Sequence, residues 1–329
     1  MLILLDKVTS GKDFKELARY LDNRGIEFFV WKDGMNRFVG MAGTLPQEDL
    51  ERFPFIERVI EDYPPEIERL AEKRIEIKGR TISRDSFTVI AGPCTIDSRE
   101  ELYRTATALK ELGIDFLRGG AYKLRSSPHS YQGIGKEGLL YMKEICTELD
   151  LVSVSEIISI EDLPLMLEYI DILTVGTRNM QNYRLLSALG ETSKPVILKR
   201  GMACSIKEWV LASEYIARGG NKQIILCERG IRTFENSTRN TLDISAVPIV
   251  KKMTPYPVII DPSHSSGRRE LIKPLAWAAA GAGADGLIIE CHHRPDRAKC
   301  DAQQKIDITQ LKEILEKLPQ ITQLWSKKF

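Results

Sequence analysis

From residue 87 onward, short continuous apolar runs alternate with stretches whose apolar positions recur at three- and four-residue spacing. The runs are IAGPCT, DFLRGGAYK, VSVSE, ILTVGTR, VILKR, IILCER, VIIDPSH and LIIECH. Continuous rather than alternating hydrophobicity marks strands covered on both faces, as in a parallel sheet flanked by helices. The first intervening segment, REELYRTATALKELG, starts behind a capping Ser98 and stops at Gly113. KEGLLYMKEICTELD, SIEDLPLMLEYI, NYRLLSALGE, SIKEWVLASEYIARGG, NTLDISAVPIVKKM, LIKPLAWAAAGAG and ITQLKEILEKL supply the other helices. Strand and helix units repeating over about 240 residues predict a (β/α)8 barrel at 87–329, an α/β fold whose chemistry gathers at the strand C-termini.

The chain before the barrel has a different rhythm. MLILLD reads as a strand, and Ser10 caps a helix through GKDFKELARYLDNRG that stops at Gly25. IEFFVWKDG and NRFVGMAGTL form a hairpin turning between Lys32 and Asn36, where Gly34 supplies the positive φ of a tight turn. PQEDLERFP gives a short helix and FIERVIED a last strand, so residues 1–65 follow the β-α-β-β-α-β order of a small α+β ferredoxin-like (ACT-like) unit. Lacking histidine and cysteine, this unit has little catalytic equipment; it reads as a small-molecule sensor, with a solubility or dimerisation appendage as the alternative. Residues 66–86 are a linker in which RIEIKGRTI, folded around Gly79, makes a hairpin closing the barrel bottom.

Composition narrows the partners. Lysine plus arginine number 47 against 46 acids, a net +1 that offers no field for nucleic acid or an anionic membrane. No apolar stretch is long and uncharged enough to span a bilayer, and MLILLDK meets charge too early for a secretory signal, so the expected location is the cytoplasm. Six scattered cysteines form no disulfide framework; reduced thiols are expected, with Cys146 and Cys227 filling the core.

Nearly every barrel run ends on a charged or metal-seeking residue: Cys94, Arg118 with Lys123, Glu156, Arg178, Lys199, Arg229, Asp261 with His264, and Glu290. Closure makes the last strand a neighbour of the first, so Cys94, His264 and Glu290 come from contiguous strands. Asp301, in the loop CHHRPDRAKCD, can swing back over the same rim. A thiolate, an imidazole and two carboxylates suit one divalent transition ion, manganese, iron, cobalt or zinc, without choosing among them. Taken singly, Cys94 reads as buried packing and His264 as a satisfied loop histidine. Adjacent strand ends favour ligation instead. His292, His293, Asp296 and Cys300 are competing ligands in the same loop, and Asp261 is placed to orient a ligand or an attacking water. Arg118, Lys123, Arg125, Lys199 and Arg229 form a cationic side fitted to phosphate monoesters. Any one of them is open to an ion pair with Glu156 or Glu228; five together point to bound anions.

These residues sit in longer motifs: GPCTIDS at 92–98, RGGAYKLRSSPHSYQG at 118–133, ILKRG at 197–201, ILCERGIRTFENSTRNTLDISAVP at 225–248, DPSHSSGRR, and GLIIE with the aspartate that follows. Together they resemble the 3-deoxy-D-arabino-heptulosonate 7-phosphate (DAHP) synthase family, in its type I-beta form with an N-terminal ferredoxin-like regulatory domain. The resemblance implies a metal-dependent, aldol-like condensation of phosphoenolpyruvate with erythrose 4-phosphate that releases phosphate, the first step of the shikimate pathway to aromatic amino acids. By resemblance, Cys94, His264, Glu290 and Asp301 are the ligands of one divalent metal ion. Arg118, Lys123, Lys199 and Arg229 then hold phosphoenolpyruvate, and Arg125 with Ser126 the phosphate of erythrose 4-phosphate. Lys123, Glu156 and Asp261 are the catalytic candidates. The family pattern KPRTS is KLRSS here: Ser126 keeps the hydroxyl donor, while Leu124 removes a proline that would stiffen the loop. The resemblance further implies a homotetramer inhibited by tyrosine, phenylalanine or both, bound between N-terminal modules of neighbouring subunits.

Three other readings compete. A 3-deoxy-D-manno-octulosonate 8-phosphate synthase would use arabinose 5-phosphate on the same barrel, and KLRSS and the extra module speak against it. A Schiff-base aldolase would use Lys199 as nucleophile. A non-catalytic amino-acid sensor would keep the barrel only as scaffold, which the intact set of ligands and cations disfavours.

Overall fold

The computed structural model describes residues 1–26, 28–33, 36–41, 44–60, 74–123, 129 and 131–329. The chain divides into two compact units, Met1–Leu70 and Ala71–Phe329.

In the first unit, β1 (Leu2–Leu5) precedes a helix at Gly11–Asn23, then β2 (Phe28–Asp33), β3 (Asn36–Met41), a single turn at Gln47–Leu50, and β4 (Ile56–Ile60). The sheet order is β2-β3-β1-β4 with every pairing antiparallel, which is the ferredoxin-like arrangement. Ser10 starts the helix as expected: its Oγ accepts from Asp13 N at 3.2 Å while the Asp13 carboxylate accepts from Ser10 N, a closed capping box. The alternation of the strands sends Ile3, Leu5, Val39 and Met41 inward against Leu17 and Leu21, all without exposed surface. The hairpin turn with Gly34 and the linker over residues 61–73 lie outside the described residues.

The second unit opens with a two-stranded antiparallel hairpin, β5 (Arg74–Ile77) and β6 (Arg80–Ser83). Eight parallel strands follow: β7 (Thr88–Gly92), β8 (Phe116–Arg118), β9 (Val152–Ile157), β10 (Ile172–Val175), β11 (Val196–Lys199), β12 (Ile224–Glu228), β13 (Val258–Ile260) and β14 (Gly286–Glu290). They close in the order β10-β11-β12-β13-β14-β7-β8-β9, a (β/α)8 barrel. Ile75 and Ile82, opposite each other on the hairpin, join Ile90, Phe116, Val152, Ile172, Ile225 and Ile288 in one buried cluster. The hairpin therefore plugs the barrel interior with two apolar side chains.

One helix differs from its sequence reading. NTLDIS is not helical, and the helix spans Ala246–Met253. Pro248 is its third residue, a position where the missing N–H and the ring are tolerated; a start at Asn240 would have put the ring into the helix interior. Pro164 similarly sits in the first turn of the helix that follows β9, at Leu163–Tyr169. None of the six cysteines forms a disulfide and all are buried, with Cys227 inside the barrel cluster. Among the described residues no helix is long and apolar enough to cross a membrane.

Candidate active site

Register carries the site. Glu290, the last residue of β14, pairs with Gly92, the last residue of β7, and Cys94 follows two residues later. A glycine is required there: φ at Gly92 is +147°, and a Cβ would stand 2.1 Å from the Arg118 carbonyl oxygen. From the other neighbour of β14, the chain leaves β13 through Asp261, which caps the turn Pro262–Ser266 by accepting from His264 N at 2.9 Å. Asp301 sits in the left-handed region at φ +50°, a conformation aspartate tolerates, and this bend brings the loop after β14 back over the rim. Ligand atoms of Cys94, His264, Glu290 and Asp301 consequently all lie within 4.8 Å of one another.

The protonation pattern suits a cation. Burial, the largest influence, lowers the His264 pKa against the pull of Asp261 and Glu290, so the ring is neutral near pH 7. Its Nδ1 donates to Asp261 Oδ2 at 2.7 Å, which leaves the Nε2 lone pair facing Glu290 Oε1 at 3.1 Å. Glu290 Oε1 is buried with no hydrogen-bond partner among the described residues. Burial opposes ionisation of Glu290, but His264, Arg118, Lys305 and Lys123 overcome it and bring the carboxyl to about 2. Two lone-pair groups in that proximity, beside a thiol and a second carboxylate, fit a divalent transition metal. In the metal-free protein the Cys94 thiol is pushed up by its hydrogen bond with Cys300, by burial and by Glu290; a bound cation reverses that preference.

Of the competing ligands, only Cys300 adjoins this group, its Sγ 3.5 Å from Cys94 Sγ and 3.0 Å from Asp301 Oδ2. His292 and His293 stack on each other and turn instead toward Glu101. A metal there meets competition from a cation already in place: Arg294 donates to Glu101 Oε1 at 2.7 Å and to His293 Nε2 at 3.2 Å. Asp296 is exposed and pairs with Arg269.

The cationic side faces the same mouth. Lys123, Arg178, Lys199, Arg229 and Arg239 line one cavity together with Asp301. Lys123 pairs with Glu156 at 3.2 Å, and Lys199 with Asp261 at 2.5 Å. Gly176 leaves space for Glu156, since a Cβ there would lie 2.0 Å from Oε1. Arg118 Nη1 is buried with no hydrogen-bond partner among the described residues, its Nη2 lies 3.4 Å from Glu290 Oε1, and Arg229 spends its guanidinium on the carbonyls of Gly230 and His264. The Glu228 ion pair open to Arg229 is taken by Arg200, 2.9 Å away, which also binds Asp243. Arg125 and Ser126 lie outside the described residues.

Three participants escaped sequence reasoning. Arg239 lies within the long motif after β12 but carried no strand-end signal. Gln304 donates to Glu290 Oε2 at 2.5 Å, and Arg200 was hidden beside the more conspicuous Lys199.

Residues 72–327 match the model of the DAHP synthetase I family. The chain is 40% identical to the phospho-2-dehydro-3-deoxyheptonate aldolase of Thermotoga maritima, covering 98% of this chain and 97% of that protein. A 2-dehydro-3-deoxyphosphooctonate aldolase of Syntrophobacter fumaroxidans is 32% identical over 74% of this chain and 90% of its own. The crystal structure of the Thermotoga maritima DAHP synthase superposes with a TM-score of 0.78 at 39% identity, covering 99% of this chain and 98% of the other. A truncated form of the Thermotoga maritima enzyme covers 78% of this chain at 46% identity, and 95% of that form is matched, with a TM-score of 0.73. The chain belongs to the DAHP synthetase I family.

Proposed function

We propose that the barrel joins phosphoenolpyruvate to erythrose 4-phosphate and releases inorganic phosphate, with Cys94, His264, Glu290 and Asp301 holding one divalent metal ion. The observation that carries this reading is the convergence of those ligand atoms within 4.8 Å beside a cavity lined by cations, of which Lys123, Lys199 and Arg229 are buried. When bound, the metal supplies Lewis acidity toward the aldehyde oxygen of the sugar phosphate.

The chain's own residues do the rest. Arg118, Lys123, Lys199 and Arg229 hold the phosphate and carboxylate of phosphoenolpyruvate, and Arg125 with Ser126 holds the phosphate of erythrose 4-phosphate. Fixed cations offset the repulsion between two polyanions and bring C3 of the enol against the aldehyde carbon. Water then adds at C2, and phosphate leaves by C–O cleavage. Glu156, kept ionised by Lys123 and Lys199 against the cost of burial, and Asp261 are the groups that orient this water. The N-terminal unit binds tyrosine, phenylalanine or both between neighbouring subunits of a homotetramer, which places inhibition apart from chemistry.

The test is phosphate release from phosphoenolpyruvate with erythrose 4-phosphate and, in parallel, with arabinose 5-phosphate, each with and without chelator. Turnover with the four-carbon sugar that chelator abolishes and a divalent ion restores is the expected result. Preference for the five-carbon sugar, or full turnover in chelator, would overturn the reading.

A further inference from the structure

Lys305 has no exposed surface, and its Nζ is buried without a hydrogen-bond partner among the described residues. An ammonium in that condition is costly, and a side chain such as methionine would fill the space without the penalty. Its position gives a reason for keeping it. Gln304, the residue before, donates to Glu290 Oε2; Ile306, the residue after, donates its N–H to the Glu290 carbonyl and accepts from His292 N. Residues 304–306 thus run along the end of β14, and the charge of Lys305 acts on both Glu290 and His292. Arg118, Lys123 and Lys199 line the cavities of the substrate mouth. Lys305 lines neither cavity.

We propose that Lys305 tunes the metal through Glu290: its fixed ammonium draws electron density from the Glu290 carboxylate, so the ion is held less tightly and is a stronger electrophile. A thiolate, two carboxylates and a neutral imidazole around a dication leave an excess negative charge, which weakens Lewis acidity. Lys305 offsets that excess from a position with no accessible surface. The role is one of positioning charge, exerted on the metal through one of its ligands.

This rests on the metal-site reading above, and the experiment separates the two. Metal-free full-length protein is titrated with Co2+ by calorimetry, for the parent and for Lys305→Met, Lys305→Gln and His264→Ala, and the sulfur-to-cobalt charge-transfer band is recorded. Removal of the ammonium is expected to tighten binding by about tenfold, the order of a screened Coulomb interaction inside protein, and to shift the band to shorter wavelength, because the ion becomes a poorer electron acceptor. Damage to the site would move affinity the other way. Unchanged or weaker binding in whichever neutral variants fold, or an unmoved band, overturns the role of Lys305 while the parent still binds. Cobalt binding that survives His264→Ala, or no binding by the parent, sinks the metal site itself.

Discussion

Lys199 Nζ lies 2.5 Å from Asp261 Oδ2, and the same oxygen accepts the Nδ1 proton of His264 at 2.7 Å. One carboxylate oxygen therefore couples a cation proposed to hold phosphoenolpyruvate to a proposed metal ligand. Burial raises the cost of that charge, yet His264 and Lys199 hold the Asp261 carboxyl well below the usual range. Asp261→Asn keeps the shape and removes the charge, and an amide cannot accept from Lys199 and His264 through a full carboxylate. The variant is expected to lose about 10- to 100-fold in kcat/KM and in metal affinity together. Steady-state phosphate release and metal titration on one preparation check it; a change in one quantity without the other would show that the coupling is not used.

Glu156 and Lys123 make a pH-dependent contribution whose sign is fixed by the direction of the shift. Burial works against the Glu156 carboxylate, but Lys123 and Lys199 pull its pKa below the ordinary 4.5. A depressed carboxyl contributes stability that is present above the unfolded-state pKa and lost as pH falls through the folded-state one. Glu156→Gln should therefore be less stable at pH 7 and show a shallower loss of stability below about pH 4.5 than the parent. Urea melts at pH 7 and at pH 4 measure both slopes, and parallel acid limbs in the two proteins would falsify this assignment.

The barrel and most of its rim were legible in the sequence because both depend on local periodicity and residue type. A continuous apolar run ending on Glu290 or Lys199 identifies a covered strand and its catalytic end at once. Cys94, His264 and Glu290 could be brought together because barrel closure is topological, and β14 does pair with both β7 and β13. What the loops do was less legible. His292 and Asp301 stand in the same segment with the same chemical credentials. Only the left-handed bend at Asp301 and the presence of Arg294 beside Glu101 decide which one joins Cys94. Gln304, Lys305 and Arg239 have no periodic signal at all, since their roles come from the return path of loops over the rim.

The hairpin under the barrel makes a stability prediction. Ile75 and Ile82 are fully buried in the barrel cluster, and the surrounding strands are too regular to collapse onto a void. Ile75→Ala is expected to cost about 2–5 kcal/mol of unfolding free energy with KM values near those of the parent, because the site lies at the opposite ends of the strands. Chemical denaturation monitored by tryptophan fluorescence provides the measurement. A cost below that range would mean the hairpin is a lid resting on a barrel already filled.

The first unit buries Ile3, Leu5, Leu17, Leu21, Val39 and Met41 in a core of its own, while the barrel core draws its members from residue 75 onward. A chain beginning at residue 71 therefore retains the whole ligand set and the described cations. A truncated form of the Thermotoga maritima enzyme, whose structure is solved, matches 78% of this chain. Removing Met1–Leu70 is expected to leave condensation of phosphoenolpyruvate and erythrose 4-phosphate within a few-fold of the full chain and to abolish inhibition by tyrosine or phenylalanine. Inhibition curves for both amino acids on the two proteins distinguish the outcomes. Sensitivity that persists in the fragment would move the effector site onto the barrel, where aromatic acids would have to compete with the phosphorylated substrates for the same cations.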